Sequence, residues 1–208
     1  RIFNNIQSGV ETDWLSKPLR NAFSQSHSLS VDGGDERAKY NLGVRYGKDA
    51  GVMKGSDRSR LSTNFRLSYN VSGKFFVSNS STISSVTNNE SPYGDFSDWA
   101  KMNPYENPYD SDGKLRVSLY HDLANPLYDA SLGSYTNTNA FDFLNTTSIQ
   151  LWFGEKVRLD GDFTINRNKQ NRRSFTSPLA YSEIRSKSAD QRTSSHAAAA
   201  ADSVTDTF

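Results

Sequence analysis

The chain has 208 residues, and its 24 Lys+Arg against 23 Asp+Glu give a formal net charge of +1. This balance gives no electrostatic reason to expect nucleic acid as a partner, and the absence of Cys excludes disulfide frameworks and thiolate metal sites. No run of ~18 apolar residues is present, which excludes a transmembrane helix, but a transmembrane β-barrel stays possible because its hydropathy signal is weak.

Alternation of polar and apolar residues dominates most of the chain. Residues 1–23 hold the only predicted helix, which Thr12 or Asp13 would cap and Pro18 would keep short. From Gln25 onward the period becomes two, which predicts strands with one apolar and one polar face. The predicted strands lie within residues 25–31, 40–46, 61–71, 75–83, 149–153 and 157–165. Glycine-containing turns at 33–35, 72–73 and 154–155 would join them into three hairpins.

The connections between these strands alternate between short and long. In an up-and-down antiparallel sheet, all the short connections then lie at one end and all the long ones at the other. This sorting is typical of outer-membrane barrels, which have short periplasmic turns and long extracellular loops. The pattern alone leaves open a soluble sheet whose three hairpins share the sorting by chance.

The two faces of the predicted sheet differ in charge. On a barrel, one face of each strand, formed by every second residue, would line a water-filled lumen. The charged residues on this face are Arg45, Arg66, Arg158, Asp160 and Asp162. The opposite face, formed by the residues in between, would contact lipid, where a charged side chain is energetically costly. The alternative is a soluble extracellular β-sandwich module that binds carbohydrate. Six residues distinguish the two folds, since they face lipid in a barrel and form a dry core in a sandwich: Leu42, Val44, Leu67, Tyr69, Leu159 and Phe163.

The long connection, predicted as residues 87–144, is rich in aromatic residues. Flat rings stack on sugars, and neighbouring carboxylates bind hydroxyl groups. The candidate substrate-binding residues are Tyr93, Phe96, Trp99, Tyr105, Tyr109, Asp110 and Asp112. In the alternative interpretation, the rings only fold the loop. Asp110 begins a stretch similar to a calcium loop, but the twelfth position is His121 instead of Glu, so a turn is expected.

No arrangement of residues predicts catalysis. Asp160 and Asp162 share one strand face, but such pairs are usually solvated charges, and no nucleophile triad or phosphate-binding loop is present. With three His and no Cys, a metal site is not expected. We therefore expect no enzyme activity, no cofactor and no metal. The basic run at residues 167–173 is expected to be a solvated loop.

Several segments, in order and at the right spacing, resemble the SusC/RagA family of TonB-dependent outer-membrane transporters. These segments are residues 12–15, 23–34, 40–46, 51–57, Arg60 with 65–71, 103–105 and 108–113. The resemblance covers about residues 10–180.

The resemblance implies an all-β fold, namely a segment of an antiparallel up-and-down transmembrane β-barrel with long extracellular loops. The whole barrel would have ~22 strands and a plugged lumen. The implied domains are a plug-to-barrel connection with a short helix (1–24), early barrel strands (25–86), a long aromatic extracellular loop (87–144), a barrel hairpin (145–167) and a poorly ordered loop or tail (168–208). Because six strands cannot close such a barrel and open edges are not tolerated in lipid, we expect the chain to be a piece of a longer protein.

The function implied by the resemblance is TonB-dependent import of a nutrient, an oligosaccharide or other glycan or a peptide, across the bacterial outer membrane. The implied partners are a SusD-like surface lipoprotein, TonB through a segment not in this chain, the glycan or peptide ligand, and outer-membrane lipid. Nucleic acid is not an expected partner.

Overall fold

The computed structural model describes residues 2–190 and 201–205, which form one antiparallel sheet with short helices between its strands. In chain order the elements are α1 (Ile2–Gln7), β1 (Ser24–Gly34), β2 (Ala38–Ala50), β3 (Asp57–Ser72), β4 (Phe75–Asn89), α2 (Phe96–Ala100), a 3-10 helix (Tyr120–Asp122), α3 (Pro126–Ser131), β5 (Tyr135–Phe153), β6 (Val157–Phe175), α4 (Tyr181–Asp190) and β7 (Ala201–Thr205). The strands lie in the sheet in sequence order, each antiparallel to the next. The predicted fold class is therefore confirmed, because this is the up-and-down arrangement of a β-barrel segment. None of the described helices is long and apolar enough to cross a membrane.

The connections of the sheet are sorted by length, as the sequence predicts. The hairpin turns at residues 35–37, 73–74 and 154–156 lie at one end of the sheet. The connections at residues 51–56 and 90–134, and the segment after β6, lie at the other end. Gly154 opens its turn with φ of 67°, a left-handed conformation that favours glycine. We call the two ends the short-turn end and the long-loop end.

The strands extend further than the sequence predicts. β4 continues to Asn89 and β5 begins at Tyr135, so the long connection is residues 90–134 instead of 87–144. β6 continues to Phe175, so the basic run at 167–173 is strand and not a solvated loop. The strand ends are rich in Ser, Thr and Asn, which hides the alternation, while the hydrogen-bond ladders with both neighbours extend them. The division into plug connection, barrel and loop stays a prediction.

The region predicted as a poorly ordered tail, residues 168–208, contains regular structure. Its first part completes β6, and it then forms α4. β7 pairs with β6 from Gln170 to Ser174. The remainder of the tail prediction, residues 191–200 and 206–208, lies outside the described residues.

The predicted helix between Thr12 and Phe23 is wrong. The helix in this region is α1, and residues 14–18 instead form turns. Trp14 is buried among other aromatic rings, and Pro18 is fully buried with its carbonyl accepting the Lys54 N–H at 2.8 Å. Since a residue before proline avoids the helical conformation, Pro18 together with these tertiary contacts overrides the helical spacing.

One face of the sheet is apolar and uncovered. Cross-strand partners on this face are apolar in both strands, for example Leu29 with Val44 and Leu42 with Phe65. The six residues that distinguish a barrel from a sandwich are between 37% and 65% exposed: Leu42, Val44, Leu67, Tyr69, Leu159 and Phe163. In the part of the chain that the structure describes, no second layer packs on them, so the core that a sandwich requires is not formed.

On β1 to β6, charged residues on this apolar face occur only towards the long-loop end. They are Lys48, Asp57, Arg167, Lys169 and Arg173. Below them, the apolar part of β3 from Leu61 to Val71 matches the ~9–11 residues that a tilted strand needs to cross hydrocarbon. The face therefore has an apolar band with a polar border on the long-loop side.

A small polar cluster interrupts the apolar band on β4 and β5. Its members are Asn79, Ser81, Asn145 and Thr147, all half-buried. Asn79 Nδ2 donates to Thr147 Oγ1 at 2.8 Å, and Asn145 Nδ2 donates to Ser81 Oγ at 2.6 Å and to Asn79 Oδ1 at 3.1 Å. The four side chains thus satisfy one another within an otherwise apolar surface.

Candidate functional site

Four segments meet at the long-loop end of the sheet: residues 8–23, 51–56, 90–134 and 176–181. We call them together the loop platform. Thr12 N donates to Pro104 O at 2.7 Å and Thr12 Oγ1 to Glu106 O at 2.8 Å. Trp14 Nε1 donates to Asn103 O at 2.9 Å. These bonds bind the segment before β1 to the long connection.

The β2–β3 connection joins the same platform. Arg20 donates from Nε to Gly51 O at 3.1 Å and from its terminal nitrogen to Ser56 O at 2.6 Å. Lys54 Nζ donates to the Lys17 carbonyl at 2.7 Å. The platform is therefore one packed unit that covers the long-loop end, and not a set of independent loops.

Trp99 lies at the centre of the platform and is only 1% exposed. Its ring centroid is 6.2 Å from that of Trp14 and 5.8 Å from that of Tyr93, and its Nε1 donates to Tyr93 O at 2.7 Å. Leu119 completes this core. This placement favours the packing interpretation for Trp99 and for the half-buried Tyr93, because little of either ring is left for a ligand.

Asn125 is a structural residue that the sequence analysis missed. It is fully buried, and its Nδ2 donates to Pro108 O at 3.0 Å and to Arg116 O at 2.7 Å. Its Oδ1 accepts the Leu127 N–H at 3.2 Å and so caps α3. An Asn directly before a Pro is an N-cap signal that could have identified this helix start. The same side chain holds together three parts of the long connection.

Three of the predicted aromatic residues remain on the surface. Phe96, Tyr105 and Tyr109 are each 41% exposed. Phe96 also lines a cavity of about 770 Å³ with Leu19 and Met53. Of the predicted rings, these three present area that a ligand or a partner protein can contact, and the structure does not bring them together into one pocket.

The two predicted carboxylates play different structural roles. Asp110 Oδ1 accepts the backbone N–H groups of Asp112 at 2.9 Å and Lys114 at 2.8 Å, and Gly113 has φ of 77°. This is the turn that the sequence favours over a calcium loop. Asp112 is exposed at the tip of the turn. In the described part of the chain, no group of three or more His, Cys, Asp or Glu side chains is placed to hold a metal ion.

A second cavity of the platform has a carboxylate in its wall. It has a volume of about 380 Å³ and lies against Tyr93, Met102, Leu123 and Asp129. Burial raises the pKa of the Asp129 carboxyl, and the hydrogen bond of 2.9 Å that it accepts from the Tyr181 N–H opposes this shift. Sequence reasoning gave no signal for Asp129, because its neighbour Tyr181 is distant in the chain.

The five predicted lumen-facing residues share the polar face of the sheet. Arg158 Nε lies 2.8 Å from Asp160 Oδ2, and Gln150 also donates to Asp160, at 3.0 Å. Asp162 follows on the same face, exposed. Arg45 and Arg66 lie on β2 and β3 and are exposed as well. The structure therefore places the five together on one face, in two groups at different positions in the sheet.

Comparison with known proteins identifies the fold only. No family model and no curated protein matches the chain. A solved structure described as the "RagAB peptide importer in the 'closed-closed' state" is similar, with a TM-score of 0.64 and 15% sequence identity. The match covers 81% of this chain and 20% of the importer chain, so this chain spans about a fifth of that protein's length.

Proposed function

We propose that this chain forms part of the wall and outer surface of a TonB-dependent transporter of the SusC/RagA kind in a bacterial outer membrane. The protein would import an oligosaccharide or a peptide with a SusD-like surface lipoprotein as partner. The observation that carries the proposal is the uncovered apolar face of the sheet, bounded by short turns at one end and the loop platform at the other. The fold likeness to a peptide importer supports it.

The apolar face fits lipid better than water. Monomeric soluble proteins rarely expose contiguous apolar patches above a few hundred Å². Here exposed aliphatic and aromatic side chains continue across β1 to β6, for example Leu29, Leu42, Phe65 and Phe163. Contact with acyl chains removes this surface from water, and tilted strands of this length span the bilayer. The same exposure argues against the soluble carbohydrate-binding module, whose core these residues would have to form.

The sorting of the connections supports one orientation of the sheet in the membrane. Outer-membrane barrels have short turns on the periplasmic side and longer loops outside the cell. The turns at 35–37, 73–74 and 154–156 would therefore lie in the periplasm, and the loop platform would face the environment. The polar face, which includes Arg45 and Asp162, would line the lumen.

The proposed role of the platform is binding and not chemistry. Phe96, Tyr105 and Tyr109 would offer rings for stacking, and Asp112 would accept hydrogen bonds from hydroxyl or amide groups. Cargo and lipoprotein both approach from this side, so both are proposed to contact these residues. The proposal includes no covalent step, cofactor or metal.

The test uses the full-length protein in its bacterial host, with outer and inner membranes separated. We expect the protein in the outer membrane, and we expect uptake of a fluorescent oligosaccharide or peptide library that stops when TonB is deleted. A protein found in the soluble fraction would contradict the proposal, as would uptake that does not depend on TonB.

The proposed ligand-facing residues have a matched control. The double substitution Tyr105→Ala and Tyr109→Ala should lower uptake or lipoprotein capture several-fold. Tyr120 is 40% exposed on the same platform, but its ring packs edge-on against the His121 ring, with 4.0 Å between the ring centroids. Tyr120→Ala should therefore change cargo uptake less. If Tyr120→Ala lowered uptake as much as the double variant, a specific role of Tyr105 and Tyr109 would be contradicted.

A further inference from the structure

Positively charged side chains are concentrated on the polar face of β2 and β3. We call these residues the cationic track: Lys39, Arg45, Arg58, Arg60 and Arg66. Their cross-strand partners place all five on one face, with Lys39 opposite Ser68, Arg66 opposite Asn41, Arg45 opposite Ser62 and Arg60 opposite Gly47. Arg58 lies opposite Asp49, the only acidic residue among the direct partners of the track on these two strands.

Three members of the track have no anionic partner among the described residues. Arg45, Arg60 and Arg66 are exposed, and none makes an ion pair or side-chain hydrogen bond with any residue that the structure describes. The nearby carboxylate of Asp32 on β1 instead accepts a hydrogen bond from Asn41. Within the described part of the chain, the three guanidinium groups are therefore available to bind anions.

Arginines elsewhere on the same face are neutralised. Arg158 lies 2.8 Å from Asp160, and Arg172 lies 3.2 Å from Glu90. Asp162 adds another carboxylate to β6. The polar face thus has a cationic part on β2 and β3 and a balanced or acidic part on β6, so the positive charge is a local feature.

The track runs along the strands. Arg60 and Arg66 are six positions apart on β3, which at ~3.4 Å per residue is ~20 Å. Arg45 lies between them on β2, diagonal to Arg60. Gly47, directly opposite Arg60, has no side chain, and a Cβ added there would have a single neighbour within 4 Å. A linear ligand can therefore meet several guanidinium groups in succession.

We propose that the cationic track binds the carboxylates of an acidic oligomeric cargo as it passes through the lumen. This inference rests on the proposed function, which places the polar face of the sheet in the lumen. A guanidinium group matches a carboxylate with two parallel hydrogen bonds. Channels lined by one sign of charge also concentrate ligands of the opposite sign. The ligand chemistry is a chain with repeated carboxylates, either a uronate-containing oligosaccharide or a glutamate-rich peptide.

The test measures binding by the purified full-length protein in detergent micelles. The probes are a short oligogalacturonate and a short polyglutamate peptide, and the neutral counterparts are a malto-oligosaccharide and a Gly-Ser peptide. We expect at least one acidic probe to bind about tenfold more tightly than its neutral counterpart, with an affinity that falls as salt is added.

Two variants and one control locate the effect. The triple change Arg45→Gln, Arg60→Gln and Arg66→Gln should lower the affinity for the acidic probe about tenfold or more. The triple change of the same residues to Lys should retain most of the preference for acid and its salt dependence, which shows that the barrel is intact. Arg172→Gln removes one cation of the same face that is already paired with Glu90, and we expect little change.

The outcomes are distinct. Binding of the uronate alone or of the glutamate peptide alone supports the inference and identifies the source of the carboxylates. Equal affinity for acidic and neutral probes, no binding of either acidic probe, or equal effects of the Gln triple variant and Arg172→Gln would overturn it. TonB-dependent uptake of neutral cargo with no acid preference would overturn this inference and leave the proposed function standing.

Discussion

Asn125 shows how one buried side chain organises a long connection. Its amide satisfies the carbonyls of Pro108 and Arg116 and caps α3 by accepting the Leu127 N–H. Substitution Asn125→Ala would leave the Arg116 carbonyl and the Leu127 N–H without these partners, while the Pro108 carbonyl would still accept the Arg116 N–H at 2.9 Å. Each such group costs ~1–3 kcal/mol, so we expect the loop platform to lose about 3 kcal/mol of local stability. Limited proteolysis and hydrogen exchange of residues 90–134 would measure the loss.

A matched change in the same connection gives the control. Asn107 makes one side-chain bond, accepting the Tyr109 N–H at 3.0 Å in an exposed turn where water can replace it. Asn107→Ala should therefore cost well under half as much as Asn125→Ala. If the two variants were cleaved at the same rate, the buried network of Asn125 would not be what holds the platform.

Asp129 should make the stability of the platform depend on pH. Burial raises the pKa of its carboxyl above the ordinary 3.8, which means that the folded state favours the protonated form. The contribution of this group to stability is therefore fully present below 3.8 and is lost as the pH rises through the raised pKa. We therefore expect protease cleavage of the chain near the contact between α3 and α4 to become faster as the pH rises through this range.

The variant Asp129→Asn should remove that dependence. Its amide oxygen still accepts the Tyr181 N–H, but no charge is buried at neutral pH. The variant should be as resistant as the unmodified protein at low pH and more resistant at pH 7, as measured by protease protection. Asp112→Asn, a change at an exposed carboxylate of the same connection, serves as control. Weaker protection of Asp129→Asn at every pH would mean that the hydrogen bond outweighs the burial cost.

At the scale of elements, the faces of each strand should respond differently to charge. Phe163 lies on the apolar face of β6 and is 65% exposed, while Asn166 lies on the polar face. Arg on the lipid face near the bilayer midplane costs ~2–4 kcal/mol, whereas a lumen position tolerates it. We therefore expect Phe163→Arg to impair refolding of the full-length protein into lipid vesicles and Asn166→Arg to refold normally, as followed by heat-modifiable mobility in electrophoresis.

The strands also show which elements a sequence can predict. Alternation identified the strands and the order of the connections because one face of each is apolar and the other polar. It failed at the ends of β4 and β5, where Ser, Thr and Asn occupy both faces and only pairing with neighbours extends the strand. Helical spacing failed around Trp14 and Pro18, because contacts with segments distant in the sequence decide their conformation. The binding role of the candidate site stays a prediction: Tyr105 and Tyr109 are exposed, while the burial of Trp99 and the role of Asn125 depend on tertiary packing that the sequence pattern does not show.

For the whole molecule, we expect the sheet to need an amphiphile. Its apolar face is uncovered, and among the described strands β1 pairs only with β2, which leaves an open edge that promotes aggregation. The 208-residue chain should aggregate in plain buffer and gain β-sheet circular dichroism in detergent micelles. A monodisperse species in water with a near-ultraviolet circular dichroism signal would contradict the assignment of this face to lipid.

The polar cluster in the apolar band has an evolutionary consequence. Asn79, Ser81, Asn145 and Thr147 satisfy one another's hydrogen bonds. If this face contacts lipid as proposed, changing one of them alone leaves its partners unsatisfied, because acyl chains offer no hydrogen bonds. Replacing all four with aliphatic residues removes the donors and acceptors together. Selection should therefore act on the four positions as a unit, and homologous sequences should carry either the complete hydrogen-bonded set or none of it, with few mixed combinations.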